Sequence, residues 1–201
     1  MGFQRKAASW DPPWAARVEP LHESERTRVT RLVSEVGSVI RKEPLGPSAR
    51  RRLRHEVEIL ERLSGAEGVA QLAAGAAPSP GSILLADVGG TALSESVMPL
   101  DRAGLGGLAG PLARAVAGMH RRGVMHRDIN PANIVVSDRG APCLIDFALA
   151  TRFTVVQPGF VHHTEAVGTL PYLAPDRTRR RHVADVLTSL PSSRASVTGG
   201  R

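Results

Sequence analysis

Val124-Met125-His126-Arg127-Asp128-Ile129-Asn130-Pro131-Ala132-Asn133 is the stretch on which the reading of this chain turns. Taken alone, an Asp and an Asn five residues apart mean little, because Asx side chains are common turn formers. Here they stand in the full pattern H-R-D-x-x-x-x-N, with Pro131 stiffening the turn between them. His126, Arg127 and Pro131 in the right places make coincidence a poor explanation. Upstream, Leu105, Leu108, Leu112, Val116 and Met119 recur at a 3/4 spacing that predicts a helix ending near Gly123, although several glycines and Pro111 weaken its first half. Downstream, Ile134-Val135-Val136, the turn Ser137-Asp138-Arg139-Gly140 and Cys143-Leu144-Ile145 predict a β-hairpin. The ten residues thus form a loop between a helix and a hairpin.

Eighteen residues after Asp128, behind the second apolar strand, comes Asp146-Phe147-Ala148, and further on Gly168-Thr169-Leu170-Pro171-Tyr172-Leu173-Ala174-Pro175-Asp176. In this order and spacing the three stretches resemble the catalytic loop, the D-F-G motif and the A-P-E end of the activation segment in eukaryotic-type Ser/Thr protein kinases, a family also found in bacteria. The resemblance covers about residues 17 to 176. It implies an α+β, protein-kinase-like two-lobe fold, with a small β-rich N-lobe carrying one regulatory helix and an incomplete helical C-lobe. It also implies ATP-dependent phosphoryl transfer to Ser/Thr hydroxyls of a protein substrate, with ATP and Mg2+ as cofactors. Asp128 would accept the proton of the incoming hydroxyl, and Asn133 and Asp146 would hold magnesium. Asn130 is counted with the catalytic residues because it stands where Ser/Thr members carry a Lys that steadies the transferred phosphoryl group. Thr169 matches the threonine that braces the catalytic Asp, a pattern that favours Ser/Thr over Tyr substrates.

Working back from the loop, β-branched and alternating residues predict short strands around 17–19, 27–32 and 38–42, and again over 69–74 and 82–87. Gly46-Pro47-Ser48 opens a helix whose apolar arc holds Leu53, Val57, Ile59, Leu60 and Leu63, with Gly65 as its stop. Glu56 falls in the middle of that arc. A carboxylate there either snorkels to water at the helix edge or meets a cation in the core. The resemblance supplies the cation: Lys42, in Val39-Ile40-Arg41-Lys42, takes the place of the V-A-I-K lysine that contacts the α- and β-phosphates, and Glu56 becomes its ion-pair partner. Only two of the 26 cationic residues are lysines, Lys6 and Lys42, so a compact ammonium at this position stands out. By the same resemblance Asp87 and Val88, with Gly89 and Gly90, would be the hinge whose backbone meets adenine. His126, Phe147 and Leu60 would stack as an apolar spine, and Thr151, Thr154 and Thr164 are candidate phosphate acceptors.

The sequence also departs from the family. No glycine occurs between Gly2 and Gly37, and His22-Glu23-Ser24-Glu25-Arg26-Thr27-Arg28 stands where a Gly-rich phosphate loop belongs. Cβ atoms there hinder close approach of phosphates, and the two glutamates would repel them unless turned outward. Ala148 replaces the last Gly of D-F-G, restricting the backbone. Only 25 residues follow Asp176, which suggests a truncated or frame-disrupted kinase domain with apolar surface exposed on the helix from Leu105 to Met119. The expected organisation is an irregular lead-in over 1–15, an N-lobe over 16–88, a partial C-lobe over 89–176 and a basic tail of disordered composition over 177–201. These departures leave a catalytically weak, kinase-like binding module as the alternative reading.

Composition narrows the field further. The chain has 201 residues, a net charge of +7, 42% hydrophobic and 3% aromatic residues, which suits one cored domain and not a base-stacking nucleic-acid reader. Residues 177–201 hold six Arg and one Asp, a net +5 of the +7, so the core is nearly neutral and no nucleic-acid partner is expected. In the core, Arg50-Arg51-Arg52 opens a helix in a region that often faces solvent in the family. Cys143, the lone cysteine, reads as a small apolar strand residue. No apolar run is long enough to span a membrane, so a cytoplasmic protein without a membrane partner is expected; oligomeric state is left open.

Overall fold

A computed structural model describes residues 12–74, 81–96, 101–153 and 168–172. Thr154, Thr164, the Ala174-Pro175-Asp176 match, the N-terminal lead-in up to residue 11 and the basic tail lie outside the described residues.

Four strands form the first sheet: β1 (Arg17–Glu23), β2 (Thr27–Ser34), β3 (Gly37–Pro44) and β4 (Ile83–Ala86), antiparallel in the order β1-β2-β3-β4. The first three start where the alternation predicts and run longer, because the β2–β3 ladder continues unbroken from Ser34 opposite Gly37 to Thr27 opposite Pro44. Lys42 sits in the middle of this sheet, opposite Val29 on one side and Ile83 on the other. Between β3 and β4, α1 spans Pro47–Arg62 and packs on the sheet.

The expected strand over 69–74 does not form. Gly68 and Ala70 bond to Leu144, whereas Gln71 and Ala73 bond to Ala86 and Leu84 in β4. A segment whose backbone turns from one partner to another within three residues cannot build a ladder. Gln71 secures it: its side-chain N–H groups reach the carbonyls of Leu63, Ala66, Val69 and Ala70, and its Oε1 accepts from Gly65 N at 2.8 Å.

The second half is built around α2 (Arg102–Arg121). This helix begins earlier than its apolar pattern suggests because Asp101 caps it, accepting from Gly104 N at 2.7 Å, and it runs on through Pro111. Short strands follow: β5 (Thr91–Ala92), β6 (Val124–Met125), β7 (Ile134–Val136), β8 (Pro142–Leu144) and β9 (Thr151–Arg152). The predicted hairpin is β7–β8, with Ile134 opposite Leu144; β5 lies on its outer edge, and β6 pairs with β9. At the crossing into β5, Gly90 has φ +74°, and a Cβ there would run into the Val136 carbonyl, so this position requires glycine.

One core unites the two halves. Ile59 and Leu60 of α1 and Leu63 just past its end are at most 1% exposed and share a cluster with Met119, Val124, Leu144 and Phe147, also fully buried. Each such side chain stabilises the fold by about 1.5–3 kcal/mol. On α2, Leu108 and Met119 are buried, Leu112 and Val116 are partly buried and Leu105 is 58% exposed, so the expected apolar exposure of this helix is greatest in its first turn. Cys143 is buried in β8, and burial pushes its thiol up to about 11, which makes it inert at neutral pH.

Candidate active site

The cation that the buried position of Glu56 demands is present. Lys42 Nζ donates to Glu56 Oε2 at 2.7 Å, to Glu56 Oε1 at 3.0 Å and to Asp146 Oδ1 at 2.9 Å, which engages all three of its protons. Burial works against the Lys42 ammonium, but the two carboxylates outweigh it and hold its pKa above the ordinary value. Burial pushes Glu56 up; Lys42 and the Phe147 N–H, 3.1 Å from Oε1, oppose it. Asp146 is also raised by burial, yet Lys42 prevails and its pKa falls below the ordinary value. Two further contacts tie α1 to the chain beyond Asp146: His55 Nε2 with the Ala150 carbonyl at 2.7 Å, and Arg152 with Glu58 at 3.5 Å.

Asp128 is held from three sides. Its Oδ1 accepts from both the N–H and the Oγ1 of Thr169, each at 2.7 Å, and its Oδ2 accepts from Asn133 Nδ2 at 3.1 Å. Asn133 Nδ2 also donates to the Asp128 carbonyl, so the amide is oriented and its Oδ1 is left to meet a cation. His126 is fully buried and burial lowers its pKa, keeping the ring neutral. The Ile145 carbonyl needs a donor and the Asp128 N–H an acceptor, so the proton is on Nε2 and Nδ1 accepts. Its ring lies 4.6 Å from that of Phe147, and Leu60 belongs to the same buried cluster as Phe147.

Asn130 corrects an expectation. Expected among the catalytic residues, it is 6% exposed and fully engaged: Nδ2 donates to the Asp128 carbonyl and to Thr169 Oγ1, and Oδ1 accepts from Ala132 N. Its side chain ties the loop to Thr169. Ala148 adopts no positive φ; the strained positions are Arg127 (φ 70°) and Asp146 (φ 60°), each costing on the order of 1–3 kcal/mol. Alanine therefore fits after Phe147 without conformational penalty.

Lys42, Glu56, Asp128 and Asp146 line one cleft of about 190 Å³, together with Ser24, Arg26 and Arg52. Sequence reasoning set Ser24 and Arg26 in the segment at the phosphate-loop position without naming them as site residues, and it missed Arg52. A signal for Arg52 was available, since it precedes Glu56 by four residues and so shares its helix face; it is exposed, as expected for Arg50-Arg51-Arg52, and it also lines the cleft.

Asp87 and Val88 do not join this cluster. Val88 is 39% exposed, and the Asp87 carboxylate is taken by Arg31 Nε at 2.7 Å, Ser38 Oγ at 2.7 Å and Gly89 N at 2.9 Å. The Asp87 side chain thus braces the bend after β4 against β2 and β3, and any adenine contact falls to the backbone. Burial pushes Asp87 up, but Ser38, the Gly89 N–H and Arg31 together hold its pKa below 3.8. A carboxyl lowered by folding contributes stability that is present above its unfolded pKa and lost as pH falls through the folded one. Melting temperature should therefore drop below about pH 4, and Asp87→Asn should flatten part of that acid limb, Asp146 supplying another part. An identical acid slope in wild type and variant would show that Asp87 contributes none of it.

Residues 37–187 match the protein kinase domain family. The chain is 29% identical over 143 residues, 66% of its own length and 22% of the relative's, to a probable serine/threonine-protein kinase PknB of Corynebacterium glutamicum. It is 33% identical over 133 residues, 63% of its length and 17% of the relative's, to a probable serine/threonine-protein kinase PkwA of Thermomonospora curvata. To the serine/threonine-protein kinase PknD of Mycobacterium tuberculosis it is 36% identical over 86 residues, 43% and 13% of the two chains. The chain therefore spans about a fifth or less of the length of these curated relatives.

Proposed function

Because the chain belongs to the protein kinase domain family, we propose that it transfers the terminal phosphoryl group of ATP to Ser or Thr hydroxyls of a protein substrate. The observation that carries this reading is the restraint of Asp128 by Thr169 and Asn133, which aims one carboxylate at the cleft that Lys42 and Asp146 also line. Asp128 orients the substrate hydroxyl and takes its proton, Lys42 steadies phosphate oxygens, and Glu56 holds Lys42 in place. Asp146, its side chain 45% exposed, and the amide oxygen of Asn133 are hard oxygen donors suited to Mg2+. When bound, the ion neutralises phosphate charge. Two protein donors leave the rest of a six-oxygen shell to phosphates and water, the usual arrangement at such sites. On this reading the N-lobe covers 16–88 and the C-lobe portion 89–176.

The alternative of a catalytically weak binding module is not favoured by the family and its serine/threonine-protein kinase relatives. No helix among the described residues is long and apolar enough to cross a membrane. The test is incubation with Mg2+, γ-labelled ATP and a generic protein substrate, followed by phosphoamino-acid analysis. Label on Ser and Thr supports the reading, and no incorporation or label confined to Tyr sinks it.

A further inference from the structure

The turn between β1 and β2 spends its backbone on itself. Ser24 N–H donates to the Thr27 carbonyl at 2.9 Å, while the N–H groups of Arg26 and Thr27 both donate to Ser24 Oγ, at 3.3 and 3.1 Å. The Arg26 carbonyl accepts from Leu45 N at 2.7 Å, anchoring the turn to the end of β3. A turn closed in this way has no row of amides to offer an anion. It nevertheless stands on the wall of the cleft, where Ser24, Arg26 and Thr27 share the lining with Arg52 of α1.

Charge points to what this wall does. Glu56, Asp128 and Asp146 against Lys42 alone would give the cleft two negative charges in excess, a poor place for a polyphosphate. Arg26 and Arg52 bring the balance to three against three. Among the described residues neither guanidinium is bonded to a protein group, so both have donors to offer. The glutamates of the turn are directed elsewhere: Glu23 pairs with Arg28 at 3.0 Å, and neither Glu23 nor Glu25 lines the cleft.

We infer that Arg26 and Arg52 form a side-chain clamp for the terminal phosphates of the nucleotide, replacing the amide cradle that this glycine-free turn cannot provide. Guanidinium forks suit the task, since they match phosphate oxygens in pairs. The inference rests on the reading of the cleft as an ATP site, and its test separates the two.

The measurement is calorimetric binding of MgATP and of adenosine to the whole chain and to Arg26→Gln, Arg52→Gln and the double variant. Each single change should weaken MgATP about 10-fold, as loss of a charge-assisted hydrogen bond does, and the double change about 100-fold. Adenosine, which has no phosphate, should bind all four proteins within about 2-fold, also showing that they are folded. MgATP affinity unchanged in the double variant, or an equal loss for adenosine, would overturn the clamp while leaving the ATP site standing. A wild-type chain that binds neither ligand would overturn the ATP site and the clamp with it.

Discussion

An Asp128→Asn variant is expected to transfer phosphate about 100- to 10,000-fold more slowly than wild type, the range that a positioned general base contributes. The change removes the carboxylate's ability to take the hydroxyl proton, and it also upsets the geometry. With Oδ1 kept on the two Thr169 donors, the new amide nitrogen faces Asn133 Nδ2, donor against donor. Asn133 can relieve this only by turning its oxygen toward residue 128, away from the position in which it would meet a cation. MgATP affinity, measured separately, should fall far less than the rate. Label incorporation at the wild-type rate in Asp128→Asn would show that Asp128 is not the base.

Glu56→Ala is expected to destabilise the fold by about 3 kcal/mol, the lower end of what breaking a buried pair costs, because Lys42 keeps Asp146. The loss has two parts. Lys42 retains a charge in a site where its nitrogen has lost two of three contacts, and the Phe147 N–H is left without an acceptor. Replacing both partners by apolar residues, as in Lys42→Met with Glu56→Leu, should recover part of this stability without recovering activity, since the buried pair is removed together and the half-exposed Asp146 alone loses its cation. Urea denaturation of Lys42→Met, Glu56→Leu and the double variant closes the cycle. Strict additivity of the two single losses would mean that Lys42 and Glu56 are not coupled.

Much of the candidate site was legible before any coordinates. Asp128, Asn133 and Asp146 lie on loops whose motifs combine residue type with fixed spacing, and the inward Glu56 was visible because a single helix obeys one period. The misread elements share a different cause. Residues 69–74 have strand-like composition, but their backbone partners are split between Leu144 and β4, and no local pattern encodes that division. Asn130 reads as a substitute for a missing lysine, whereas its buried amide spans from the catalytic loop to Thr169, 39 residues away. Arg52 is exposed like Arg50 and Arg51, and no local pattern tells that it also lines the cleft with Ser24 and Arg26.

By itself the sequence determined the family, the order of the main elements and the chemical identity of Lys42, Glu56, Asp128, Asn133 and Asp146, because motifs and periodicity are local properties. Only the tertiary structure decided which carboxylates share Lys42, which groups orient Asp128, that Asp87 braces β2 and β3, and that Arg26 and Arg52 line the cleft. Those outcomes rest on contacts such as Lys42 with Asp146, 104 residues apart, and Glu56 with Phe147, 91 apart. Packing of α1 against the sheet and the core of Phe147, Leu144 and Met119 brings such groups within hydrogen-bonding distance, and burial then makes each unpaired charge costly enough to select its partner.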